Sequence, residues 1–93
     1  METYAILATF IEPGNMKPEA AREMMAQVQT TARAMGVNLS SWLITMGHYD
    51  SILIIEAPDA PAAVKFAMFL ASSGLRTETL RAFTPQEASA FLA

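Results

Sequence analysis

His48 is the single imidazole in the 93-residue chain. It is also the only side chain whose ordinary pKa allows proton exchange near neutrality, so any acid–base chemistry would look to it as the catalytic group. It stands in the run Gly47, His48, Tyr49, Asp50, beside a phenol and a carboxylate. Arg76 and Glu78 follow in a later apolar-rich segment, and Trp42 precedes the run as a large aromatic wall with one donor. Trp42, Tyr49, Asp50, Arg76 and Glu78 are the candidate ligand-binding residues, with Arg81 a further charge on the same segment as Arg76. Each has a structural reading beside the functional one. Gly47 supplies the positive φ a turn needs, Asp50 accepts backbone hydrogen bonds and Tyr49 packs on a neighbouring loop. A lone Trp often fills a core, and charges on an edge strand deter unwanted sheet pairing. His48 and Asp50 fall short of the three or four ligands a metal needs, and no phosphate loop or dinucleotide fingerprint occurs. No metal and no cofactor are expected.

Those residues must be held by regular elements. Residues 4–11 (YAILATFI) read as a strand that ends at the turn formers Glu12, Pro13, Gly14 and Asn15. Pro18 opens a helix in which Ala21, Met24, Met25, Val28, Ala32 and Met35 recur at helical spacing before Gly36. Residues 39–46 and 51–57 are strand-like on either side of the Gly47 to Asp50 run, close enough for a hairpin. Asp59 is a good N-cap for a second helix that closes before Gly74. Residues 76–83 make a fourth strand, and Thr84 with Glu87 has the form of a capping box opening a short terminal helix.

The order β-α-β-β-α-β, then α, predicts an α+β, ferredoxin-like fold. Its four-stranded antiparallel sheet runs in the order 4-1-3-2, with two helices on one face and a short C-terminal helix beyond. In that arrangement the end of the first strand, the hairpin and the start of the fourth strand gather at one end of the sheet. Asp50 and Arg76 then lie two strands apart, roughly 10 Å between backbones, and are expected to form an ion pair or share a ligand.

The helices cover one sheet face only, and an open face should alternate polar with apolar residues. Here it does not: Tyr4, Ile6, Ala8 and Phe10 are apolar, and so are Ala5, Leu7 and Ile11, while Ile52 and Ile54 alternate with Leu53 and Ile55. A second sheet packed face to face would cover the bare side, which predicts a homodimer or higher homo-oligomer of the α+β barrel type. Composition agrees. A chain of this size buries only about 60% of its unfolded surface, yet 53% of its residues are hydrophobic, seven are Met, and Cys is absent, so no disulfide supplements the core. One domain spanning residues 1–93 is expected.

Six Lys and Arg against nine Asp and Glu give a net charge of −3, without any basic cluster, which argues against nucleic acid as a partner. No run is long and apolar enough to suggest a membrane span, and Glu2 stands where an export signal would carry Lys or Arg. A cytoplasmic location is the expectation.

The run Gly47, His48, Tyr49, Asp50 with the following residues 51–59 (SILIIEAPD) resembles the signature of the GYD domain family. Residues 76–84 (RTETLRAFT) look like that family's last strand, and Thr3-Tyr4 before an apolar strand is similar too. The resemblance implies a ferredoxin-like domain, dimeric, of unestablished biochemical role. Three functions are therefore weighed. The leading one is a small domain that self-associates through its sheet and binds a small molecule near the hairpin. The alternatives are a cofactor-free enzyme, like monooxygenases and isomerases built on dimeric α+β barrels, with His48 as base, and a structural or regulatory subunit.

Overall fold

Residues 2–10 carry no helix-period pattern, only apolar and β-branched side chains on both faces, and in the computed structural model they form the central strand β1 (Glu2–Phe10). The structure describes residues 1–11 and 17–92. The remaining elements are α1 (Pro18–Ala34), β2 (Asn38–Ile44), β3 (Ser51–Ala57), α2 (Ala60–Ser72), β4 (Leu75–Ala82) and α3 (Pro85–Ala88). The strands pair antiparallel in the order β2-β3-β1-β4, the expected ferredoxin-like sheet. No helix is long and apolar enough to cross a membrane among the described residues. The turn formers at positions 12–15 lie outside the described residues.

Register decides which residues share a face. Tyr4 lies between Ile55 and Arg81, Ile6 between Leu53 and Thr79, and Ala8 between Ser51 and Thr77. This is the helix side. Ile6, Leu53 and Ile55 are fully buried there against Val28 and Ala32 of α1 and Phe66 and Leu70 of α2. Each such side chain stabilises the fold by roughly 1.5–3 kcal/mol relative to exposure. The stripe read along α1 is the buried one, with Met24 and Met35 packed on the core at its margins. α2 starts where expected: the Asp59 carboxylate accepts the Ala62 N–H at 2.9 Å. α3 is opened by the Thr84–Glu87 capping box.

The opposite face has no helix. Ala5 lies between Ile54 and Leu80, Leu7 between Ile52 and Glu78, and Leu43 faces Ile52 across the β2–β3 pair. Leu43 and Leu80, on the two edge strands, are 57% and 44% exposed. Glu56 and Arg76 lie toward the strand ends of this face, and Glu78 lies mid-strand opposite Leu7. Glu56 is held there by the Asn38 side-chain amide, which donates to it at 2.6 Å.

Strand limits shift by one or two residues from the sequence reading, for reasons of pairing. β2 stops at Ile44 rather than 46 because Ile44 faces Ser51, the first residue of β3, and beyond it Thr45 bonds into the turn, to the Asp50 carbonyl. β4 begins at Leu75 rather than 76 because Leu75 is buried opposite Phe10. A bulge at Ser40 interrupts the β2 edge, where its hydroxyl donates to the Ile54 carbonyl at 3.1 Å. Such an irregular edge discourages strand addition.

Candidate functional site

The connection between β2 and β3 is built from hydrogen bonds to the main chain. The Thr45 N–H donates to the Asp50 carbonyl at 3.0 Å and the Thr45 hydroxyl to the Tyr49 carbonyl at 2.6 Å. Gly47 sits at φ 121°, which a side chain would strain, so glycine here is a condition of the turn.

Asp50 accepts a main-chain hydrogen bond, as its structural reading has it. Its N–H donates to the Ala8 carbonyl at 2.8 Å, and its carboxylate accepts the Phe10 N–H at 2.7 Å. The β1–β3 ladder ends at Ala8 opposite Ser51, so Phe10 has no backbone acceptor on that side. Asp50 extends the ladder by one rung with its side chain. The expected ion pair between Asp50 and Arg76 is accordingly not the contact that forms; the unsatisfied amide of Phe10 is nearer and fixed in direction.

The two-strand gap is bridged instead by Tyr49 and Glu78. The Tyr49 hydroxyl donates to a Glu78 carboxylate oxygen at 2.8 Å, passing over β1 from the hairpin to β4. The His48 ring stands edge-on to Tyr49, with centroids 4.9 Å apart and planes at 87°. Leu7, Thr9, His48, Tyr49, Arg76, Thr77 and Glu78 line one cavity of about 270 Å³ at this end of the sheet. Register explains the company: Thr9 lies opposite Arg76 and Leu7 opposite Glu78 on the helix-free face. Leu7 and Thr9 were missed as lining residues, although the alternation of β1 places them on one side with Ala5.

The hydrogen bond to Glu78, then desolvation and the charge of Glu78, raise the Tyr49 phenol above its usual value. Tyr49 therefore keeps its proton at neutral pH and is not a nucleophilic phenolate; that one proton is given to Glu78, so its oxygen is left to accept from a ligand donor. By linkage, a folded-state pKa above the unfolded one contributes stability that is complete below the unfolded value and is lost as pH rises through the folded value. Glu78→Gln is expected to bring the Tyr49 titration down toward the ordinary phenol range while leaving Tyr4 unchanged. Tyr4 is held up separately by its hydrogen bond to Glu2. Ultraviolet absorbance of tyrosinate against pH reads this directly; two unchanged titrations would show that Glu78 does not govern Tyr49.

Three of the residues singled out from the sequence are not among those lining this cavity: Asp50, whose carboxylate is taken up by the Phe10 N–H, Trp42 and Arg81. Trp42 lies on β2, at the opposite edge of the sheet, and faces the helix side across from Leu53. Arg81 lies over the Tyr4 and Phe83 rings, 5.5 and 4.2 Å from their centroids, and donates to the Thr3 carbonyl at 3.1 Å, so it braces β4 against β1. No group of three His, Asp or Glu positioned to hold a metal occurs among the described residues.

Comparison with known proteins adds a family and a relative. A protein of Thermus thermophilus named "Glutamine synthetase and cystathionine beta-lyase binding protein" is 30% identical over 87 residues, covering 88% of each chain. The model of the GYD domain matches residues 4–92, so the Gly47, Tyr49 and Asp50 whose roles are described above sit within that match, and the chain belongs to the GYD domain family.

Proposed function

We propose that this chain is a small regulatory binding domain that pairs with a second copy of itself through its helix-free sheet face and, so paired, holds a small polar ligand beside His48, Tyr49 and Glu78. The observation that carries the reading is the apolar centre of that face, Ala5, Leu7, Leu43, Ile52, Ile54 and Leu80, contributed by all four strands. Apolar surface of this kind is stable in water when another surface covers it. A second sheet is the complementary shape. The cavity lined by His48 and Glu78 opens on the same face, so a partner sheet would deepen it. The relative's printed name supports a regulatory role through protein contacts, with metabolic enzymes as the partners to test.

Light scattering at micromolar concentration is expected to return twice the monomer mass or more, and a clean monomer would overturn the self-association. The regulatory part is read by mixing the pure protein with glutamine synthetase or cystathionine β-lyase from the same organism. A shift in enzyme mass or activity supports it, and neither change with either enzyme refutes those partners. A second reading, a cofactor-free enzyme with His48 as base, draws on His48, Tyr49 and Arg76 lining one cavity. At about 270 Å³ that cavity is at the lower edge of the usual range for small-molecule sites, roughly 300–1,000 Å³, which favours binding over enclosed chemistry in a single copy.

A further inference from the structure

Arg76 and Glu78 stand two residues apart on β4, so both project from the helix-free face. Their backbones are roughly 7 Å apart. Both side chains are exposed, and both line the cavity of about 270 Å³ beside His48. A cation and an anion at one small site restrict what it can hold. A simple anion drawn to Arg76 meets the Glu78 carboxylate, and a simple cation drawn to Glu78 meets the Arg76 guanidinium, so a like charge opposes either. A molecule that carries both charges close together satisfies the two at once.

The neutral groups sort the two ends. Tyr49 gives its proton to Glu78 Oε2, which leaves the phenol oxygen and Glu78 Oε1 as acceptors. Together they match an ammonium, which only donates. At the other end Thr9 lies opposite Arg76 and brings a hydroxyl that can donate, while the guanidinium fork matches a carboxylate in two parallel hydrogen bonds. Leu7, opposite Glu78 and half-buried, supplies a short apolar wall. We propose that this cavity binds a small α-amino acid, its carboxylate against Arg76 and Thr9, its ammonium against Glu78 and the Tyr49 oxygen, and a short aliphatic side chain against Leu7. The amino-acid class rests on the reading of the cavity as a ligand site, and every group involved belongs to one copy of the chain.

His48 is the one imidazole of the chain and lines the cavity, so its ring proton signals in nuclear magnetic resonance report on this site. Titrating the full chain at fixed pH with L-valine is expected to shift them saturably. Isovalerate lacks the ammonium and isobutylamine lacks the carboxylate, and each should bind roughly tenfold or more weakly than the amino acid. Arg76→Gln and Glu78→Gln should each weaken L-valine by about tenfold or more, while Glu23→Gln, on the exposed surface of α1, should bind it as the parent does. Both cavity variants replace exposed side chains, so the fold should tolerate them. Isovalerate or isobutylamine binding as tightly as L-valine would overturn the amino-acid class while leaving a ligand site. So would an Arg76→Gln or Glu78→Gln protein that keeps the parent's affinity. No saturable response to any of the three molecules would overturn both the class and the ligand site itself.

Discussion

Replacing Asp50 by Ala is expected to destabilise the protein by about 2 kcal/mol, because a charged acceptor is removed and a backbone donor is left unpaired. For a domain of this size that lowers the melting temperature by roughly 8–16 °C. Three contacts meet at this residue. Its carboxylate receives the Phe10 N–H, its own N–H reaches the Ala8 carbonyl, and its carbonyl receives the Thr45 N–H. The last two are main-chain bonds and survive the substitution. The first does not, and neither methyl group nor β3 offers Phe10 another acceptor. Asp50→Asn should recover much of the loss, since an amide oxygen can still accept but without the charge. Thermal unfolding followed by far-ultraviolet circular dichroism measures both variants. An Asp50→Ala protein melting within a degree or two of the parent would mean that the carboxylate serves a ligand and not the fold.

The second large effect concerns the bare sheet face. Ile54 lies between Ala5 of β1 and Ser41 of β2 on that face and is half-buried in the single chain. A glutamate there remains partly in water in the monomer, so the monomer should fold. In a face-to-face pair the same carboxylate would be desolvated against apolar side chains, at a cost of several kcal/mol, and twofold symmetry repeats it on the other copy. Ile54→Glu is therefore expected to raise the dissociation constant of the pair at least 100-fold, a loss of about 2.8 kcal/mol. Thr30→Glu, on the exposed surface of α1, carries the same charge and should change nothing. Sedimentation at a series of concentrations separates the two variants. If Ile54→Glu sediments as the parent does, the proposed pairing through the apolar face is overturned.

Much of the architecture was legible in the residues because each element carries its own punctuation. Pro18 and Gly36 bound the first helix, Asp59 caps the second, and Thr84 with Glu87 caps the last. That the helix-free face is apolar was also legible from the residues on both sides of β1 and β3, since alternation maps one-to-one onto sheet sides. The site was less legible. Tyr49, Arg76, Glu78 and His48 do come together, but the contact that links the hairpin to β4 is Tyr49 to Glu78 and not Asp50 to Arg76. That outcome depends on where the β1–β3 ladder stops, and ladder ends are a matter of register between distant strands.

Trp42 shows the same division. Its type promised a wall for some ligand, but a period-two strand has two sides, and the bulge at Ser40 decides which of them Trp42 occupies. Local order, then, follows from nearest-neighbour sterics, capping and hydrophobic period, all of which are written along the chain. Which side chains share a cavity follows from strand register and helix placement, which the folded core settles through contacts between residues far apart in sequence.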